Sequence, residues 1–170
     1  LALGTAQFGL NYGISNTYGK THKSEIKKIL HIAKKNNINF IDTAQNYFNV
    51  EKMLGSFDLS NFNISTKISD FDTANINSNT EFIYLEIVKS LENLKIKNID
   101  TIFLHNSSNL LSKKGDKFFE ELIRSKKNKI VKKIGITVYS IKEISEIISN
   151  FDIDVVQCPF NIFDNRLVDS

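Results

Sequence analysis

Four side chains in this sequence could act together on a carbonyl group: Asp42, Tyr47, Lys67 and His105. Three of them end apolar runs. Ile38, Phe40 and Ile41 lead into Asp42, Phe62-Asn63-Ile64-Ser65-Thr66 into Lys67, and Ile99 to Leu104 into His105. Short runs of this kind, closed by a polar residue, read as strands with chemistry at their carboxyl ends. Tyr47 follows Asp42 in the polar connection that runs toward the helix end at Leu54-Gly55. A free tyrosine, with a pKa of about 10, is a slow acid at neutral pH, and a nearby cation favours its phenolate. Lys67 would be that cation, Asp42 would hold it charged and in place, and His105 would orient a polarised oxygen. Such a set can protonate a carbonyl oxygen. None of the four is an electron source, so a reduction would draw its hydride from a cofactor.

The elements that must carry these groups alternate along the chain. Leu1 to Gln7 reads as a first strand, and a glycine-rich connection from Gly9 to Gly19 follows. After Thr21-His22-Lys23-Ser24, the spacing of Ile26, Ile29, Leu30 and Ala33 predicts a helix. The Asp42 and Lys67 strands come next, then a helix on Phe82, Leu85, Val88, Leu91 and Leu94, and then the Ile99–Leu104 strand. A helix around Phe118 to Ile123, a strand over Lys133 to Val138, a helix from Ile141 to Ile148 and a strand from Ile153 to Gln157 complete the order.

Strand-helix alternation calls for parallel strands with helical crossovers, in an open doubly wound sheet or a TIM (β/α)8 barrel. Short strands with polar ends on three successive units favour the barrel, because its rim faces one centre. The opening Gly4-Thr5-Ala6-Gln7-Phe8-Gly9 lacks the Gly-x-Gly-x-x-Gly spacing of a dinucleotide-binding fold. Six strands are legible where a closed barrel has eight. The expectation is one (β/α) barrel domain over residues 1–170, incomplete at its C-terminal side.

Composition narrows the classes. The 170 residues are 41% hydrophobic, enough for one sizeable core, with net charge +3. The lysines, among them Lys27, Lys28, Lys34 and Lys35 on helix faces and the run from Lys126 to Lys133 just before a strand, come without arginine or aromatic interleaving. That argues for solvated surface rather than a nucleic-acid partner. A single cysteine, Cys158, precludes an internal disulfide and suits the cytoplasm. No segment has the length of a membrane span. His22 and His31 share no ligand-like spacing with Cys158, so no metal is expected.

The four candidate residues sit in motifs that resemble the aldo-keto reductase family. Its pattern Asp-Thr-Ala-x-x-Tyr-Gly-x-Ser-Glu-x-x-Leu-Gly is similar to the stretch from Asp42-Thr43-Ala44 through Tyr47 and Glu51 to Leu54-Gly55. Leu3-Gly4-Thr5-Ala6-Gln7-Phe8-Gly9 looks like the family's first strand, and Ile64-Ser65-Thr66-Lys67 like its lysine strand. Ile99 to His105, Ile134 to Val138 and Val155 to Asn161 look like its fourth to sixth. The resemblance implies NADPH-dependent reduction of a small aldehyde or ketone. Carried over by position, Tyr47 is the general acid, Lys67 lowers its pKa, Asp42 holds Lys67, and His105 orients the carbonyl. Gly4, Thr5, Asp42, Thr137 and Gln157 match the cofactor-binding positions, and Phe8, Tyr12 and Phe48 would line the substrate mouth.

Departures from the pattern bear on the site. Phe48 and Val50 stand where the family has Gly and Ser, which would redirect the turn after Tyr47, and Val138 replaces an Asn beside Thr137. The segment that grips the cofactor's adenosine phosphate falls in the family's last two units, outside these residues. This stretch alone is therefore expected to bind NADPH weakly or not at all.

Each residue also has an ordinary reading: Asp42 as a turn cap, Tyr47 as a half-buried aromatic, Lys67 as a snorkelling lysine. Four correct types in order at three strand ends outweigh those readings. Two other functions fit the same residues: a barrel relative that binds a nucleotide or partner without turnover, and a lyase or isomerase using Lys67 as a Schiff-base amine.

Overall fold

The computed structural model describes residues 1–77 and 81–165. The six strands are β1 (Ala2–Gly4), β2 (Phe40–Asp42), β3 (Asn63–Ile68), β4 (Ile99–Leu104), β5 (Val131–Thr137) and β6 (Val155–Gln157). Between them lie α1 (Ala6–Gly9), α2 (Lys23–Lys35), α3 (Val50–Leu54), α4 (Phe82–Leu94), α5 (Gly115–Lys127) and α6 (Ile141–Ile148). A short 3-10 turn, Ser107–Leu111, follows β4. All neighbours pair in parallel in the order β1-β2-β3-β4-β5-β6, so the strand order never reverses.

Two facts show that this sheet is a curled half-barrel rather than an open one. The order lacks the reversal that creates a switch point in doubly wound sheets. The Gln157 amide of β6 also donates to Asp42 Oδ1 of β2 at 3.3 Å. Four strand spacings of a flat sheet would separate those strands by about 19 Å, well beyond the reach of the two side chains.

Alternation along each strand divides the sheet into two faces. Ile41, Ile64, Ile68, Ile102, Leu104, Ile134 and Ile136 are buried on the outer face, packed with the helices. Burying each such side chain is worth roughly 1.5–3 kcal/mol. On the helix side Ile26, Leu30 and Ala33 of α2 and Ile83, Ile87 and Leu94 of α4 are buried at the predicted spacing. The inner face carries Asp42, Ser65, Lys67, Phe103, Gly135, Thr137 and Gln157 in register. Gly135 is glycine because a Cβ there would sit 2.5 Å from the Phe103 ring. No helix among the described residues is long and apolar enough to cross a membrane.

Besides shifts of a few residues at other element ends, such as β5 starting at Val131 rather than Lys133, two elements differ from their sequence reading for a visible reason. The first strand stops at Gly4 because the Thr5 backbone N–H and Oγ1 both donate to the Asp42 carbonyl, at 3.1 and 3.0 Å. The chain then coils into α1, with Leu10 N–H on the Ala6 carbonyl at 3.0 Å. The sixth strand starts at Val155 rather than Ile153. Asp154 stands at its head, its Oδ2 accepting the Ile134 N–H at 2.7 Å and its carboxylate held by Lys126 at 2.6 Å.

Gly9 closes α1 where it crosses the Tyr47 turn. A Cβ on Gly9 would lie 2.0 Å from the Tyr47 carbonyl oxygen and 2.5 Å from Val50 Cγ2, whereas one on Gly4 would meet nothing within 4 Å. Gly9→Ala is therefore expected to lower unfolding free energy by about 1–3 kcal/mol, as overpacked sites do, in denaturant titration. Gly4→Ala should leave the midpoint unchanged.

Candidate active site

Each candidate side chain is delivered to the inner rim by its own unit. Asp42 ends β2, Lys67 lies near the end of β3, His105 follows β4, Thr137 ends β5 and Gln157 ends β6. Lys67 donates to Asp42 Oδ2 at 2.6 Å, to Oδ1 at 2.8 Å and to the Thr43 carbonyl at 3.2 Å. Its side chain is only 5% exposed against 22% for Asp42, so the carboxylate is the partner that offsets the cost of taking the amino group out of water. Ser65 Oγ at 3.3 Å and the Gln157 amide add two donors to Asp42 Oδ1.

Tyr47 stands in a turn with several anchors. Thr43 N–H donates to the Ser65 carbonyl at 2.9 Å and Gln45 N–H to the Lys67 carbonyl at 3.1 Å. The Gln45 amide donates to the Glu86 carbonyl and to Ser90 Oγ, both at 2.9 Å, and its oxygen accepts the Ser69 N–H. The turn is thereby tied to β3 and α4. The Lys67 ammonium lies 5.7 Å from the Tyr47 ring centre. The Asn46 amide lies 3.4 Å from His105 Nε2, and His105 N–H donates to the Ile68 carbonyl at 3.1 Å. All four predicted groups thus share one rim.

The electrostatics depart from one expectation. Lys67 was assigned the lowering of the Tyr47 pKa, but burial, and after it the Asp42 carboxylate, hold that phenol above its ordinary value of 10. Tyr12 and Tyr139 push in the same direction. The physical reason is that the Lys67 charge is already matched by Asp42, leaving Tyr47 beside a neutralised pair in a partly dry pocket.

Of the expected substrate-mouth residues, Tyr12 is in place. With Gly4, Thr5, Gln7, Asp42 and Tyr47 it lines a cleft of about 380 Å³. The other two are corrected. Phe8, 6% exposed, packs in the core with Ile26 and Leu30. Phe48 is 66% exposed and turns outward under Lys20, whose ammonium lies 4.5 Å from its ring. At φ +59° Phe48 occupies the left-handed region that glycine takes easily, so the substitution leaves the turn in a glycine conformation. Val50 is fully buried against Gly9, and Val138 lies in the helix-side core.

Among the cofactor candidates, Gly4 borders open space, while the Thr5 hydroxyl proton is committed to the Asp42 carbonyl. Thr137 Oγ1 is buried at the rim without a partner among the described residues. Sequence reasoning missed Gln45, Asn46, Ser107 and Tyr139. The first two are unspecified positions within the motif, and the others lie in loops with no periodicity to mark them. Cys158 is partly buried and packs against the larger core cluster.

Comparison with known structures agrees with this architecture. AKR11C1 from Bacillus halodurans, an aldo-keto reductase in its holo form, superposes with a TM-score of 0.78 at 19% identity, over 99% of this chain and 56% of that one. AKR2E4 from Bombyx mori, an aldo-keto reductase in complex with NADP, gives 0.70 at 16%, over 95% and 54%. The glycerol dehydrogenase AKR11B4 from Gluconobacter oxydans gives 0.69 at 23%, over 96% and 52%. This chain thus spans little more than half the length of these structures. No curated protein matched in sequence. The sequence model of the Aldo/keto reductase family matches residues 1–170, and with the rim geometry above, the chain belongs to that family.

Proposed function

We propose that the whole protein reduces an aldehyde or ketone to its alcohol with NADPH, Tyr47 giving the proton. The observation that carries this reading is the buried Lys67–Asp42 pair placed 5.7 Å from the Tyr47 ring on the rim that also holds His105. The residues present fit such a cofactor. Thr137 Oγ1 is a buried hydroxyl without a partner among the described residues, and Gln157 stands opposite it in register, together a donor and acceptor set for a carboxamide. Gly4 leaves room beside them, and Thr5 and Asp42 complete the wall. When bound, the cofactor would supply hydride to the carbonyl carbon.

The chain's own groups handle the oxygen. A carbonyl oxygen that has gained hydride would be far more basic than a phenolate, so even a phenol with a raised pKa would pass its proton downhill. The phenolate so formed would share its rim with the Lys67 ammonium, 5.7 Å from the ring centre, whose charge would act there. His105, on the same rim, would donate a hydrogen bond to the carbonyl oxygen. The proposal extends to one barrel domain whose remaining units complete the cofactor's phosphate grip, and to the cytoplasm, where the lone Cys158 thiol stays reduced.

Tyr47→Phe should cut carbonyl turnover by about 10²–10⁴-fold while leaving NADPH affinity nearly unchanged in a fluorescence titration. Lys67→Met should be comparably damaging, and Cys158→Ala should matter little. NADPH binding with no turnover of any aldehyde would instead favour a relative that binds without catalysis, and borohydride trapping of an aldehyde on Lys67 would favour the Schiff-base chemistry.

The pH dependence follows from the direction of the Tyr47 shift. The protonated phenol is the active form, and its pKa lies above 10, so the Tyr47 step should hold kcat/KM level through neutral pH and lose it only above pH 10. An alkaline limb near pH 8 that disappears in Tyr47→Phe would contradict the assignment.

A further inference from the structure

A buried contact that the proposed chemistry does not use joins the loops after β4 and β5. Ser107, two residues beyond His105, is 0% exposed. Its Oγ lies 2.8 Å from the Thr137 carbonyl oxygen and 2.5 Å from Glu143 Oε1. The other Glu143 oxygen accepts the Tyr139 N–H at 3.4 Å, and the Ser140 hydroxyl caps the Glu143 N–H at 3.3 Å. One carboxylate at the start of α6 therefore gathers the loop that leaves Thr137 and the turn that follows His105. The Asn106 side chain holds that turn from the other side, accepting from the Ser108 N–H at 3.2 Å and the Ser108 hydroxyl at 2.6 Å. Backbone bonding of His105 to Ile68 fixes the strand end itself.

A buried serine is satisfied by one backbone carbonyl. Here the one hydroxyl proton is shared between that carbonyl and the Glu143 carboxylate, which is more than burial requires, and the charge-assisted contact has the strength to hold two loops together. We propose that Ser107 and Glu143 are positioning residues that set His105 and Thr137 at a fixed separation. This rests on the carbonyl-reduction reading, in which those two residues address the substrate oxygen and the cofactor. Neither Ser107 nor Glu143 touches the cleft beside Tyr47. Their effect passes through the backbone, where a displacement on the order of 1 Å is enough to cost about 10²-fold in rate.

The test uses the whole protein, with Ser107→Ala, Glu143→Ala, Glu143→Gln and the Ser107→Ala/Glu143→Ala double variant. Each alanine variant is expected to lower kcat about tenfold or more and to weaken NADPH binding several-fold, as misplaced positioning groups do. Glu143→Gln keeps an oxygen for the Ser107 hydroxyl and should recover most of the loss, which separates positioning from a general loss of stability. The double variant should be no worse than the poorer single, because both remove one contact. Changes in melting temperature with kcat and NADPH affinity within twofold of wild type would overturn the proposal, as would single losses that multiply in the double. If the wild type reduces no carbonyl, the reduction reading fails by itself. The clamp is then judged by the His105 imidazole NMR resonances: a shift in Ser107→Ala sustains it, and unchanged resonances overturn it.

Discussion

The structure depends on a lysine ammonium held inside a barrel rim by a carboxylate. Lys67 reaches both Asp42 oxygens and the Thr43 carbonyl, and little water reaches it. Removing such a charge from solvent costs several kcal/mol unless its partner is close and well aligned. Much of the rim is arranged around that requirement. Asp42 is bonded through its carbonyl to Thr5, through Oδ1 to Ser65 and Gln157, and through both oxygens to Lys67. One residue thus joins four strand ends, and a local electrostatic need becomes a global geometric one.

That neutralised pair also sets the acid strength of its neighbour. A free cation would draw the Tyr47 proton off, but a matched ion pair does not, and burial then dominates. The resting site is therefore a neutral phenol beside a closed ion pair. In the proposed reaction, proton release from Tyr47 would then answer to a base stronger than phenolate rather than to neutral solution pH. The turn carrying the phenol is correspondingly rigid: Gln45 spends both ends of its amide on α4 and β3, and Gly9 removes the side chain that would push the Tyr47 carbonyl away.

Much of this was legible in the residues. The parallel order followed from strand-helix alternation, because a parallel neighbour needs a crossover. The Ile99–Leu104 strand and the Ile141–Ile148 helix matched to the residue, since burial on one or both faces imposes an unmistakable pattern. Elements decided by single long-range bonds were not legible. Thr5 leaves the ladder because of a carbonyl 37 positions away, and Asp154 delays β6 through contacts with Ile134 and Lys126. At the candidate site, residue types and order were enough to expect that Asp42, Tyr47, Lys67 and His105 share one rim. Phe8 was misassigned because loop position does not reveal which way a side chain points once the loop coils into α1. The Tyr47 shift was misjudged because Lys67 has two neighbours, and sequence does not say which takes its charge.

The bond from Gln157 to Asp42 spans the chord of the arc rather than following the ladder. It therefore exists only at one curvature of the sheet. If the arc relaxed toward planarity, the carboxylate would lose a donor while keeping its lysine. The packing of the helical layer, by fixing how tightly the sheet is rolled, thus also decides how many donors reach the ionic centre on its concave side.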